Sequence, residues 1–199
     1  MKEGLFFDQK THTYYFNGNK VPGVTSVLEG AGISDFSMVP REVLAQAQAL
    51  GTEVHNLTEL SDKKETIGKE PSDMAMSMLL HYDQFLFDLD VEIVEIEKKV
   101  FCEKYMYAGT LDRVAIFKKV SDQPVLFDIK TGQPSMSHQI QTAAYEYAYK
   151  KDKRQKMDRY TLYLSSDGYK LSEPYKSRQD FDVFLAALTV YNYKKRGKR

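Results

Sequence analysis

Asp128, Ile129 and Lys130 place a carboxylate and an ammonium two positions apart, at the end of the apolar run Pro124-Val125-Leu126-Phe127. In a strand, side chains two apart share a face, so both groups project together. An acidic residue followed two positions later by lysine is common, and Asp8-Gln9-Lys10, Asp62-Lys63-Lys64 and Glu97-Lys98-Lys99 also satisfy it. What separates Asp128 is its setting. Asp112 lies in the preceding apolar stretch, Ala108-Gly109-Thr110-Leu111-Asp112-Arg113-Val114-Ala115-Ile116-Phe117. Burying an unpaired ionised group on a central strand costs several kcal/mol, so Asp112 calls for a cation. Two carboxylates converging from neighbouring strands favour a hard divalent ion with oxygen ligands, such as Mg²⁺ or Mn²⁺. The alternative is a structural ion pair between Asp112 and Lys130.

These groups need elements to hold them. Residues 5–28 read as two short strands joined by a turn at Asn17, Gly18 and Asn19, then a Pro22-Gly23 break and a short helix that Thr25 could cap. Residues 41–60 carry Val43, Leu44, Ala47, Leu50, Val54 and Leu57 at helical spacing, with Gly51 weakening the middle. After a polar linker, residues 74–89 have the apolar density of a buried helix. Three strand-like segments follow, at 91–101, 106–118 and 124–132, as an antiparallel meander. Residues 135–151 read as a serine-capped helix, 157–166 and 168–175 as strands joined across Asp167-Gly168, and 178–199 as a closing helix with a basic tail. The expected fold class is α/β (α+β): a central mixed sheet flanked by helices, with the core order αβββαβ. One domain over 1–199 is expected: an N-terminal hairpin and short helix over 1–40, a helical segment over 41–90 and a catalytic core over 91–199.

Read in order, Gly51-Thr52-Glu53-Val54-His55, Glu97, Gly109-Thr110-Leu111-Asp112, Asp128-Ile129-Lys130-Thr131-Gly132 and Gln141-Thr142-Ala143-Ala144-Tyr145 resemble the RecB-type branch of the PD-(D/E)XK nucleases. The resemblance covers roughly residues 50 to 150, and the N-terminal segment is similar to the opening of many phage-type exonucleases. It implies a restriction-endonuclease-like core and a role for each matched position. His55, Asp112, Asp128 and the Ile129 carbonyl would be metal ligands for one or two Mg²⁺ or Mn²⁺ ions, with Glu97 completing a second ion's shell. Lys130 would orient the attacking water. Gln141 and Tyr145, which share a helix face, and Thr131 would meet the substrate.

The plainer readings stay open: His55 as a hydrogen-bonded packing residue, Tyr145 as a packed aromatic beside Tyr147 and Tyr149, and Gln141 as a solvated position. Glu97 is the least fixed, because Glu92 and Glu95 lie in the same strand and a one-residue slip exchanges faces. The implied activity is DNA hydrolysis at ends or on single strands in recombination, replication or repair. A structure-specific endonuclease or a catalytically silent DNA-binding subunit is the alternative.

Lysine plus arginine and aspartate plus glutamate each number 28, so net charge neither predicts nor excludes a nucleic-acid partner. Local patches at 149–160 and 191–199 combine Lys and Arg with Tyr, which suits phosphate contact and base stacking, although basic residues near helix ends also complement the dipole. The single cysteine, Cys102, excludes a disulfide within the chain and an iron–sulfur cluster. With no membrane-length apolar run and no signal peptide at the N-terminus, a cytoplasmic setting is expected. Further copies of the chain, or a recombination or replication protein, are the compatible protein partners.

Overall fold

The computed structural model describes residues 4–68 and 70–197. Lys198 and Arg199, the end of the expected basic tail, lie outside the described residues. Eight strands and five helices follow one another as β1 (Leu5–Asp8), β2 (Thr13–Phe16), β3 (Asn19–Val21), α1 (Val24–Ala31), α2 (Arg41–Lys63), α3 (Asp73–Leu89), β4 (Val91–Cys102), β5 (Tyr107–Phe117), β6 (Pro124–Lys130), α4 (Met136–Tyr149), β7 (Arg159–Ser165), β8 (Gly168–Leu171) and α5 (Gln179–Arg196) among the described residues. They build two sheets, β1-β2-β3 and β4-β5-β6-β7-β8. In the larger sheet β6 and β7 run parallel, with α4 as the crossover, and the other neighbours are antiparallel. The sheet is therefore mixed, as the sequence leads one to expect.

Each face of that sheet has its own apolar layer. On one, Val27, Leu28, Leu111, Val114, Leu126, Ala144 and Phe184 join α1, α4 and α5 to the strands. On the other, Leu57, Tyr82, Phe85, Ala115, Phe117, Phe127 and Leu162 join α2 and α3 to them. Burying an aromatic such as Phe85 contributes on the order of 1.5–3 kcal/mol relative to leaving it exposed. α3 starts at Ser72, whose hydroxyl accepts the Ala75 N–H, and α4 starts at Ser135, whose side chain accepts the Ser137 N–H.

Three local expectations change. The N-terminal segment is three strands, because Asp8 takes the backbone N–H groups of Lys10 and Thr11 and so turns the chain once before the Asn17-Gly18 turn does so again. Thr25 does not cap α1: the cap position is Gly23, and Thr25 lies inside the first turn. Gly51 leaves α2 unbroken through Lys63, since the helix is stabilised by packing Val54, Leu57 and Thr58 onto the sheet.

Candidate active site

The antiparallel pairing of β5 with β6 runs from Ile116 and Pro124 to Arg113 and Phe127 and ends there. The next residues, Asp112 and Asp128, stand where the strands part. Asp112 Oδ2 accepts the Ile129 N–H at 2.7 Å, which satisfies a backbone donor that the broken ladder leaves without a partner. Side-chain alternation also slips here: Leu111 and Val114 pack on the same face, although they are three positions apart. The slip turns Asp112 away from both apolar layers and into the fork.

β4 is irregular at the same level. Its register with β5 shifts between Ile93 and Glu95, and Glu97 has a left-handed backbone (φ 46°) that a strand residue rarely adopts. The result faces Glu97 toward Asp112, while Glu95 pairs with Lys98 and Glu92 with Lys118 on the surface. From α2, His55 completes the group: its Nδ1 lies 3.7 Å from Asp112 Oδ2 and 4.0 Å from Glu97 Oε1. Its Nε2 is 3.0 Å from the Ile129 carbonyl, which only accepts, so that nitrogen carries a proton. The Ile129 carbonyl thereby steadies the imidazole, and its oxygen keeps a second lone pair.

Ligand atoms of His55, Glu97 and Asp112 all fall within 4.8 Å of one another, a spacing that could hold a metal ion. The electrostatics agree. Burial works against a charge on His55, but the carboxylates of Asp112 and Glu97 outweigh it and raise the imidazole pKa. The carboxylates thus favour a positive charge beside them.

Beside this triad sits a second pair. Asp128 is fully buried, and its Oδ2 is 2.5 Å from Lys130 Nζ, a charge contact that lacks hydrogen-bond geometry and leaves that oxygen without a hydrogen-bond donor. Lys130 pairs with Asp128 rather than with Asp112, so the simple Asp112–Lys130 ion pair does not form. Burial pushes the Asp128 carboxyl up; it also opposes the Lys130 charge, but the Asp128 and Asp112 carboxylates more than compensate and hold the ammonium above its ordinary pKa. Gln141 donates to Asp128 Oδ1 at 2.9 Å and to the Tyr145 hydroxyl at 3.3 Å. Neither Gln141 nor Tyr145 is solvated; both are buried against the site. Thr131 follows β6 in a bend, and a Cβ built on Gly51 would lie 3.5 Å from its Oγ1, which places the start of the His55 motif beside it.

Gly109 shows how closely the parts fit. A Cβ there would lie 2.4 Å from Tyr145 Cε1, so the tyrosine ring occupies the space that any other residue would fill. Gly109→Ala is expected to displace Tyr145, open its bond to Gln141 and destabilise the fold by about 1–3 kcal/mol, as overpacking does. Urea unfolding checks it, and parental stability would refute the packing argument.

Sequence reasoning missed three neighbours. Arg113 is buried beneath Glu97: Nη1 donates to Glu97 Oε1 at 3.0 Å, Nε to Asp62, and Nη2 to Thr58 at 3.3 Å. Tyr82 donates to the same Asp62 at 2.8 Å. A lone arginine in an apolar strand beside Asp112 was the available signal. His138 Nδ1 lies 3.0 Å from the Tyr163 hydroxyl, and Tyr163 pairs with Lys130 across β6 and β7. Burial, then the Lys130 ammonium, depresses the His138 pKa. Tyr14 comes from the N-terminal sheet and hydrogen-bonds Thr110.

The expected basic patches are partly consumed by the fold. Arg159 is buried, bound to Asp180 at 2.8 Å and Glu146 at 3.0 Å, while Lys150 closes onto the Gln155 carbonyl and Lys153 onto the Tyr147 and Lys150 carbonyls at the end of α4. Lys194 bonds the Gly30 carbonyl and Lys195 lies over the Tyr191 ring. Lys151, Arg154 and Lys156 remain exposed. Among the described residues, no helix is long and apolar enough to cross a membrane.

No curated protein matches the sequence significantly. The sequence model of the PD-(D/E)XK nuclease superfamily, however, matches residues 34–190, a span that runs from before α2 into α5 and takes in the whole fork with its carboxylates, lysine and histidine. With that match over most of its length, and a mixed five-stranded sheet flanked by helices to carry it, the chain belongs to the PD-(D/E)XK nuclease superfamily.

Proposed function

We propose that the protein is a Mg²⁺- or Mn²⁺-dependent deoxyribonuclease that hydrolyses phosphodiester bonds as an exonuclease, at DNA ends or on single strands. The observation that supports this most is the convergence of His55, Glu97 and Asp112 at the fork beside the buried Asp128–Lys130 pair. One imidazole nitrogen with carboxylate oxygens is a donor set that suits a hard divalent ion. His55 Nδ1, Glu97 and Asp112 would hold it, and Asp128, whose Oδ2 lies 2.5 Å from Lys130 Nζ, would join them as a further carboxylate ligand. Bound there, a divalent ion lowers the pKa of water and offsets charge on the phosphate.

The chain's own groups do the rest. Lys130 donates to the attacking water or to a phosphoryl oxygen, and Asp128 fixes the ammonium in place. Gln141 keeps Asp128 oriented with the buried Tyr145 bonded to it, while the half-buried Thr131 would meet the substrate. Arg113 holds Glu97 against the site. The exonuclease reading rests on the sequence resemblance to RecB-type and phage-type enzymes. We also read residues 1–199 as one nuclease domain, because Tyr14 and Val21 of the N-terminal sheet share an apolar cluster with Ala108 of β5.

The test is degradation of end-labelled linear DNA and covalently closed circles, single- and double-stranded. Linear molecules should be shortened from an end with Mg²⁺ or Mn²⁺, circles should survive, and EDTA should stop the reaction. Cut circles would replace exonuclease by endonuclease, and no cleavage of any form would remove the enzymatic reading.

A further inference from the structure

Tyr14 lies outside the span that the superfamily matches, yet its side chain reaches the fork. The N-terminal sheet is fastened to the start of β5: Ala108 donates its N–H to the Pro22 carbonyl at 2.9 Å, and Gly23 forms a bridge with Ala108. The Tyr14 ring lies over Gly23, where a Cβ would come within 3.2 Å of it, and against Phe7 with centroids 4.5 Å apart. Held in this way, Tyr14 is only 7% exposed, and its hydroxyl sits 2.8 Å from Thr110 Oγ1. Thr110 stands two residues before Asp112 on β5.

Two hydroxyls bonded to each other use one proton between them, so one O–H remains to donate. Neither the Tyr14 nor the Thr110 hydroxyl makes another hydrogen bond among the described residues. Glu97 and Asp112 are the charged groups that act on the phenol. Burial raises the Tyr14 pKa first, the Thr110 contact lowers it, and the Glu97 and Asp112 carboxylates raise it further, so the phenol stays a neutral donor near those carboxylates without touching them. A donor that does not bond a nearby carboxylate directly can reach it through a bridging water. Small divalent ions keep several of their waters when protein ligands are few.

Resting on the metal-site reading above, the geometry points to the Tyr14–Thr110 hydroxyl pair as an outer shell of that site, positioning a water ligand of the divalent ion held by His55, Glu97 and Asp112. Tyr14 is then a positioning residue contributed by the N-terminal sheet, and that sheet is part of the active centre.

The experiment is calorimetric titration of the full chain with Mn²⁺, together with melting in EDTA. Tyr14→Phe keeps the ring and Thr110→Val keeps the shape, so both should melt like the parent without metal. Each should weaken Mn²⁺ binding about tenfold, in the range seen when groups behind metal ligands are removed. The double variant should be no weaker than either single one, because the two hydroxyls act as a unit. Parental Mn²⁺ affinity in Tyr14→Phe, or additive losses in the double variant, would reduce Tyr14 to a packing residue and overturn the inference. If the parent binds no Mn²⁺, or Asp112→Asn binds it as well as the parent, the metal-site reading itself fails and takes this inference with it.

Discussion

Asp112→Asn should lower the rate of DNA cleavage by about 10³-fold, because losing one anionic ligand forfeits several kcal/mol of metal-borne charge stabilisation, and about 4 kcal/mol corresponds to that factor. Asparagine is the informative substitution. Its side-chain oxygen can still accept the Ile129 N–H that Asp112 accepts at 2.7 Å, so the fork should stay closed on its backbone side. What goes is one negative charge from a site that also contains Glu97 and Asp128. In EDTA that removes repulsion from Glu97 and Asp128 together with attraction to His55, Lys130 and Arg113, so the variant should melt close to the parent. Added Mn²⁺ should raise the melting temperature of the parent by mass action and leave the variant unmoved. Cleavage at the parental rate would show that Asp112 is not a ligand, and a large loss of stability in EDTA would show that its main work is structural.

Asp128 and Lys130 are legible in the sequence because they obey a simple periodicity, and Asp112 because a carboxylate stands out in an otherwise apolar stretch. On β6, Asp128 and Lys130 are two apart and share a face, and α4 presents Gln141 and Tyr145 one turn apart in the same way. Glu97 was the hard choice among three glutamates because β4 does not keep that period: the shift after Ile93 and the left-handed Glu97 make counting by twos fail. Only an ordered set of motifs singled it out. Arg113 and Arg159 illustrate the other blind spot. Arginine reads as surface charge, and in residues 149–160 it was counted toward a patch for nucleic acid, yet both side chains are buried on acidic partners that lie far away in sequence. Such pairings depend on which helix packs over which strand. The Tyr14 contact is of the same kind, since it links positions 96 residues apart.

Arg113→Met is where the buried ion pairs and the reactive site meet. The guanidinium is wholly enclosed and neutralises Asp62, whose side chain is 1% exposed, while also holding the more open Glu97. Breaking a buried pair from one side leaves an uncompensated charge, so the variant should lose about 3–5 kcal/mol in urea unfolding. Asp62 is then the destabilised group: burial already raises its pKa even with Arg113 present, and without that cation it will take up a proton more readily still. Its folded pKa would exceed the unfolded one, so the stability loss should be small at a pH below the usual carboxylate range and grow as pH rises toward neutrality. Removing the second charge as well separates the two jobs of the arginine. In Arg113→Met/Asp62→Leu most of the lost stability should return, because apolar groups of similar size replace a buried pair at little net cost. Mn²⁺ affinity should not return with it, since Glu97 would still lack the Nη1 donor at 3.0 Å that faces it toward His55 and Asp112. If the double variant regained full metal affinity, Glu97 would be held by its strained backbone alone and Arg113 would be a fold residue; if Arg113→Met were as stable as the parent, the guanidinium would not be the counter-charge of Asp62.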